Sequence, residues 1–315
     1  MFTRIFSLLR SIIQIIFSLI TNSILVGIFL TFLVTLFDVH KWSWMQSLLQ
    51  QLGRPVSQNS AFELLFYVFL GLPLLLSPTR LMAWILAKIN GWHKACAEEK
   101  DYIQSYIDNV FARSGLKNKT YHLYIDESQD INAAAFGLNN ILVTRGAMIA
   151  AAEKSGLMEG LLAHEMGHLT YGHSFVLSYI LVMESCGMAA GYTLDKINWF
   201  MAEVLSRIPL VNFIVMFISL PLSLIFIILG LFNKITSYII LLFYRQDEHA
   251  ADGYACKIGF GPELLRGLEM LKDEPESQNK KGMLTNINND HPSLPHRIET
   301  IKKYLAKHPE KKILS

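Results

Sequence analysis

The chain has 315 residues, of which 52% are hydrophobic and only 17% are charged. About a quarter of the residues in a soluble protein are usually charged, and the apolar residues here form long runs, so the composition favours a membrane protein with a polar domain. The formal charge of +2 gives no support for a nucleic-acid partner. The three cysteines are widely spaced, which argues against a disulfide framework and against a thiolate zinc cluster.

Two apolar segments predict a membrane hairpin near the start of the chain. Residues 11–37 contain no ionisable side chain and exceed the roughly 20 residues that a spanning helix needs. This segment is too long for the core of a signal peptide, so we expect it to be retained. Residues 64–87 predict a second span, in which Pro73 and Pro78 indicate a kink or an early end.

Basic residues predict the orientation of this hairpin. Arg4 and Arg10 precede the first span, and Lys88 and Lys94 follow the second. The loop between the spans has only two basic residues. The positive-inside rule therefore places the N-terminus, and the polar sequence after the second span, in the cytoplasm.

The polar sequence that follows has both helical and strand periodicity. Residues 92–115 have the apolar spacing of an amphipathic helix. Residues 121–125, 132–136 and 140–144 read as strands, the last two joined by a turn at Gly137. Strands followed by a helical segment without proline predict an α+β domain.

That helical segment contains the strongest chemical signal in the chain. His164 and His168 are four residues apart, so on a helix both imidazoles lie on one face and can bind one Zn²⁺. Glu165 follows the first histidine, where it can take a proton from a metal-bound water. The alternative, two core histidines on an ordinary helix, is less favoured because the flanking residues are good helix formers.

Two further apolar segments follow this motif. Residues 175–194 are interrupted by charge only at Glu184, and predict a third span or a membrane-associated helix. Glu184 is either a functional residue or a side chain that faces the interior of a helix bundle. Residues 208–233 are uncharged and predict a fourth span.

A catalytic zinc ion needs a third protein ligand, either a histidine or a carboxylate. His173 lies five residues after His168, which removes it from the face of the motif histidines. Glu248 and Asp252 are four residues apart, and in this arrangement Glu248 binds the metal while Asp252 holds a ligating imidazole. The alternative is a solvated, charged helix start after a membrane span.

The motifs together resemble the HtpX-like membrane zinc metallopeptidases, relatives of the CAAX prenyl proteases. The similarity lies in Leu162–His168, in Arg245–Asp252, and in His291-Pro292-Ser293 with Arg297, and covers roughly residues 90–305. Residues 132–135 resemble the substrate strand of that family. The resemblance implies a gluzincin-like site with one Zn²⁺ per chain, which would be held by His164, His168 and Glu248, with Glu165 as general base and Asp252 as partner of a ligand histidine.

The same resemblance implies further roles around the metal. His291 or Arg297 would lie near the oxyanion or help to hold Glu248. Asn132, Ala133, Ala134 and Ala135 would pair with an extended substrate by strand addition. Separately from the resemblance, the polarity of the loop 272–290 is interpreted as that of a flap that covers the cleft.

These observations predict an α-helical, multi-pass membrane protein of about four transmembrane helices with a cytoplasmic α+β zincin-like metallopeptidase domain. The predicted parts are an N-terminal hairpin, the first half of the catalytic domain with the zinc helix, a second hairpin, and the second half with the third ligand. They occupy residues 1–90, 91–173, 174–244 and 245–315.

The implied function is endoproteolysis of misfolded or damaged membrane proteins on the cytoplasmic side of the inner membrane. The expected partners are protein or peptide substrates and the lipid bilayer, with no nucleic acid. One alternative is a narrow-specificity CAAX-type processing peptidase, against which four spans rather than a larger helical cage argue. The other is a non-catalytic zinc-binding membrane scaffold, which would have no need of Glu165.

Overall fold

The computed structural model shows a mostly helical chain, whose described residues also form a small sheet. The helices before strand β2 are α1 (Phe2–Leu36), α2 (Ser43–Gln51), α3 (Gln58–Phe66), α4 (Leu72–Leu76), α5 (Arg80–Asn90) and α6 (Ala97–Ser114). The strands are β1 (His93–Lys94), β2 (His122–Asp126), β3 (Ala133–Phe136) and β4 (Asn140–Thr144). They are followed by α7 (Arg145–Glu153), α8 (Leu157–Tyr171), α9 (His173–Glu203), α10 (Pro209–Lys257), α11 (Gly261–Asp273) and α12 (Leu294–Lys307).

The structure describes residues 2–77, 79–114, 120–203, 209–273 and 294–309. The chain divides into two compact units. The first, called the sheet unit here, contains residues 1–12, 78–178 and 241–315. The second, called the apolar unit, contains residues 13–77 and 179–240.

Among the described residues, three helical segments are long and apolar enough to cross a membrane, namely Leu9–Leu36, Gln58–Leu76 and His173–Phe200. They overlap the first three predicted spans, although the second starts at Gln58 and ends at Leu76 rather than running over residues 64–87. Large apolar side chains remain exposed on them, such as Leu75 at 75% and Tyr192 at 66%. Exposed apolar surface of this kind is suited to lipid rather than to water.

The second span ends early, as its two prolines predict. Helix α4 stops at Leu76, and α5 starts at Arg80 as a separate helix. The Thr79 hydroxyl caps α5 by accepting a hydrogen bond from the Met82 backbone N–H at 3.4 Å. The predicted fourth span lies along α10, but Ile208 and most side chains of residues 209–233 are outside the described part of the chain.

The four-stranded sheet found in the described residues has the order β1-β2-β4-β3. Strand β2 runs parallel to β4, and β3 pairs with β4 in antiparallel fashion through the turn at Gly137. The central strand β4 is buried along its whole length. Because β3 is the last strand in this order, one of its edges has no neighbouring strand among the described residues.

The core of the sheet unit lies between the sheet and helices α6 and α8. Ile103 and Ile107 of α6, Ile141 of β4, and Met158 and Leu162 of α8 are fully buried in one cluster. This packing explains the apolar spacing along α6 and places α8 beneath the sheet. Residues 146–174 form two helices and part of a third, because Gly156 and Gly172 adopt positive φ angles of 86° and 81°.

The helix predicted to begin at residue 92 is wrong at its start, because β1 occupies His93–Lys94 and α6 begins at Ala97. The Glu99 carboxylate accepts a hydrogen bond from the Cys96 backbone N–H at 2.9 Å and so caps the first turn. Arg145, the first residue of α7, donates to Glu99 at 2.7 Å and to Glu127 at 2.6 Å. One guanidinium therefore joins α6, the end of β2 and α7.

This arrangement predicts an acid-dependent loss of stability at Glu99. Burial raises the pKa of Glu99. The hydrogen bond from the Cys96 N–H and the charge of the Arg145 guanidinium have the larger, opposite effect and lower the pKa to about 2. A carboxylate with a lowered pKa stabilises the fold above its unfolded value of about 4.5 and loses this effect as the pH falls towards 2. We expect Glu99→Gln to melt below the wild type at pH 7, with a difference that shrinks between pH 4.5 and 2.

Thermal unfolding followed by circular dichroism in detergent measures this difference. The control is Glu98→Gln, which removes a neighbouring exposed carboxylate and should leave the melting temperature unchanged. A Glu99→Gln difference that stays constant from pH 7 to pH 2 would contradict the role given to the carboxylate.

Candidate metal centre

Helix α8 carries the motif residues on buried faces. His164, Glu165 and His168 are 5%, 8% and 8% exposed, respectively. The Nε2 atoms of the two histidines lie 3.2 Å apart. Both rings therefore point the same nitrogen at one place, as expected for residues four apart on a helix.

Glu248 of α10 completes this group of donors. Its Oε1 lies 3.2 Å from His168 Nε2, and its Oε2 lies 3.4 Å from His164 Nε2. Ligand atoms at roughly 2.0–2.1 Å from a tetrahedral Zn²⁺ are about 3.3 Å from one another. The spacing and chemistry of these three side chains therefore fit one zinc ion, and they form a group that could hold a metal.

The close approach of α8 and α10 depends on Gly167, which stands between the two motif histidines. A Cβ atom built on Gly167 would lie 2.9 Å from Ala251 Cα and 3.2 Å from Ala251 Cβ. Real Cβ atoms essentially never come that near a backbone atom. Glycine at this position thus lets α10 bring Glu248 within reach of both imidazoles.

Asp252 and Arg297 lie beside His164 Nδ1, the ring nitrogen that faces away from the proposed metal. Asp252 Oδ1 lies 2.9 Å from His164 Nδ1. Arg297 of α12 donates to both Asp252 oxygens, at 2.6 and 2.9 Å, and its Nη1 lies 3.2 Å from Glu248 Oε2. Arg297 is thus placed against the carboxylates.

The charges of this buried group act on one another. Burial raises the pKa of Asp252, but the charge of Arg297 and the hydrogen bond from His164 outweigh it and hold the pKa well below its usual range. Burial and Arg297 lower the pKa of His164, whereas its hydrogen bonds with Asp252 and Glu248 dominate and raise the pKa to about 10. The pocket therefore attracts positive charge, which suits a metal cation.

Glu165 joins the metal centre to the edge of the sheet. Its Oε2 accepts a hydrogen bond from the Ala135 backbone N–H at 2.6 Å. Its Oε1 lies 4.0 Å from His164 Nε2, on the side of the metal donors. Because the Ala135 N–H points away from β4, alternation along an antiparallel strand also directs the backbone groups of Ala133 outward.

The other residues of the predicted substrate strand have different surroundings. The Asn132 carbonyl accepts from the Thr144 N–H at 3.1 Å, so its backbone faces β4. Past β3, the Gly137 N–H donates to Ser178 Oγ at 2.8 Å and its carbonyl accepts from Ser174 Oγ at 3.1 Å. The outward-facing backbone of β3 therefore ends at Gly137.

Two predicted features, His291 and the flap, lie outside the described residues, whereas His173 lies close to the motif histidines. His291, together with residues 274–290 of the predicted flap, is not among the described residues. His173, which was removed from the face of the motif helix, lies with its Nδ1 3.2 Å from His168 Nδ1. Gly172 is the sequence feature that could have indicated this contact, since a glycine that ends a helix redirects the chain.

The chain is similar in sequence to a peptidase family and to proteins named as proteases. The profile of peptidase family M48 matches residues 97–305. A protein named Protease HtpX from Shewanella frigidimarina is 26% identical over 238 residues, which cover 70% of this chain and 80% of that protein. A Protease HtpX homolog from Neisseria meningitidis serogroup C is 29% identical over 223 residues, which cover 65% of this chain and 73% of the relative.

Gly167→Ala tests the contact between α8 and α10. The added methyl group should separate the helices, lower the free energy of unfolding by about 1–3 kcal/mol and weaken zinc binding. Denaturant unfolding and zinc titration measure the two effects. Gly253→Ala on α10 is the matched control, because a Cβ there meets no atom within 4 Å; equal behaviour of the two variants would contradict the contact's importance.

Zinc binding should release protons at neutral pH. The hydrogen bonds with Asp252 and Glu248 raise the pKa of His164 and so favour its protonated form in the metal-free protein, and coordination through Nε2 requires that charge to be lost. We expect at least about one proton per zinc ion, and an affinity that falls as the pH decreases. Titration calorimetry in buffers of different ionisation enthalpy measures the number released. Binding without proton release at pH 7 would contradict a charged His164.

Proposed function

Because the chain belongs to peptidase family M48, we propose that it is an integral-membrane zinc endopeptidase with its single metal ion bound by His164, His168 and Glu248. The observation that carries the proposal is the group of three buried donors, whose ligand atoms all lie within 4.8 Å of one another. The fourth position of such a site is left for water or substrate.

Bound zinc would polarise the scissile carbonyl and make a water molecule acidic near neutral pH. Glu165 accepts the proton of the attacking water at Oε1, which faces the metal donors, and passes it to the nitrogen of the leaving amine. Its Oε2 stays fixed by the Ala135 N–H at 2.6 Å. One carboxylate thus serves as base and then as acid without changing its position.

Asp252 and Arg297 keep the ligands in place during this reaction. Asp252 accepts the Nδ1 proton of His164, which leaves Nε2 free to bind the metal. Arg297 balances the charge of Asp252 and Glu248, and all three side chains are buried. This contact supports a role for Arg297 in holding Glu248, and leaves His291 as the candidate for stabilising the oxyanion.

The substrate in this proposal is an extended peptide that pairs with the open edge of β3. Ala133 would supply its backbone N–H and carbonyl, and Ala135 would supply its carbonyl, because the Ala135 N–H is bound to Glu165. Asn132 and Ala134 would be their neighbours in the same strand. The alanine side chains are small, and the contact between Glu165 and Ala135 supports a position of this edge next to the reacting atoms. Recognition of backbone rather than side chains favours unfolded segments of many sequences.

The membrane location supports a role in quality control. Three apolar helices are present among the described residues, and residues 208–233 would form a fourth span. We propose a multi-pass protein of the inner membrane, with the parts 1–90, 91–173, 174–244 and 245–315 in the order predicted, and with its N-terminus and catalytic domain in the cytoplasm. Its substrates would be misfolded or damaged membrane proteins.

The first experiment compares the detergent-solubilised chain with Glu165→Gln on an unfolded protein substrate. Zinc should start cleavage by the wild type, and the variant should cleave at least about a hundredfold more slowly while it still binds one zinc ion. Fragment formation and metal content are the two measurements. Equal cleavage by both forms would remove Glu165 from the mechanism, and stoichiometric zinc without cleavage would favour the scaffold.

A further inference from the structure

We propose that His173, Asp247 and Arg10 position the His168 ligand, an inference that rests on the zinc site of the proposed function. The Nδ1 atoms of His168 and His173 are 3.2 Å apart. The other ring nitrogen of His173, Nε2, lies 3.3 Å from Asp247 Oδ1. Arg10 Nη2 donates to the same oxygen at 3.0 Å. These side chains form a continuous chain that starts at the metal-binding imidazole.

Coordination fixes the direction of each hydrogen bond in this chain. A metal at His168 Nε2 leaves the single proton of the neutral ring on Nδ1, so this atom donates to His173 Nδ1. A His173 ring that accepts at Nδ1 carries its own proton on Nε2, which then donates to Asp247. Asp247 accepts from both His173 and Arg10. His168 is therefore held in the tautomer that presents Nε2 to the metal.

The contacts of His173 and Asp247 are buried. His173 is 6% exposed and Asp247 is 3% exposed, so water has little access to either side chain. A buried carboxylate is costly unless a positive charge or several donors neutralise it. Arg10 supplies that charge from α1, and it also donates to Gln246 Oε1 at 3.2 Å. The start of the first membrane helix thus contributes to the geometry of the metal centre.

The two histidine ligands differ in how they are supported. His164 Nδ1 meets the carboxylate of Asp252 directly, at 2.9 Å. His168 reaches its carboxylate only through the ring of His173. A direct carboxylate increases the basicity of a ligand as well as fixing its orientation, whereas a neutral imidazole acts chiefly on orientation. The assigned role of His173 is therefore that of a positioning residue.

The test compares His173→Phe with His173→Gln in the full-length, detergent-solubilised protein. Phenylalanine keeps a ring without hydrogen-bonding atoms, whereas glutamine can accept from His168 through Oε1 and donate to Asp247 through Nε2. We expect His173→Phe to lower Zn²⁺ affinity about 10–100-fold in competition with a chelator, and to change the visible spectrum of the Co²⁺-substituted protein. His173→Gln should restore both properties to nearly those of the wild type.

Two comparisons distinguish positioning from general packing. His122→Phe, a matched histidine of β2, should change neither the metal affinity nor the Co²⁺ spectrum. Arg10→Gln and Asp247→Asn should weaken Zn²⁺ binding by less in combination than the sum of the single effects, because both act through one contact. Melting temperatures without metal show whether each variant is folded.

The inference is overturned if His173→Phe binds both metals as the wild type does, or if His173→Gln is as weak as His173→Phe. A wild-type protein that binds zinc but cleaves no substrate would end the proposed function alone, since the metal readouts still decide the role of His173. A wild type that binds no zinc would end both.

Discussion

The burial of the Glu248 carboxylate is the constraint on which the sheet unit depends. This side chain is fully buried between α8, α10 and α12, where an ionised carboxylate is unfavourable unless positive charge surrounds it. Arg297 supplies charge on one side, and the two imidazoles define a place for a cation on the other. The metal would therefore serve the stability of the unit as well as its chemistry.

The residues that meet this constraint come from segments far apart in the chain. Helix α8 leads through Gly172 into α9, which enters the apolar unit, and α10 passes from that unit back to the sheet unit. The candidate metal centre is thus built where apolar helices begin and end.

The sheet contributes through one edge rather than through its face. Strand β3 is held by β4 on one side and contacts Glu165 on the other. Ser174 and Ser178 of α9 occupy both backbone groups of Gly137, which sets the limit of the open edge. Glu165, the proposed general base, and the proposed substrate strand are consequently fixed to each other, so substrate pairing and proton transfer would occur at one place.

Sequence by itself determined the features that depend on local periodicity. The spacing of His164 and His168, the pairing of Glu248 with Asp252 on one helix face, the three strands 121–125, 132–136 and 140–144, and the apolar runs all follow from side-chain direction in helices and strands. Strand β1 was not predicted, because two residues carry no periodic signal. Helix α6 starts later than predicted, because the Glu99 carboxylate caps its first turn at Cys96.

Only the tertiary structure decided which of these faces meet. Gly167 allows α10 to approach α8, so the carboxylate of Glu248 comes within 3.4 Å of both histidines. Arg297 and His173 acquire their places through the packing of α12 and the turn at Gly172. These contacts join residues distant in sequence or separated by a helix break, and no local pattern encodes the distance between two helices.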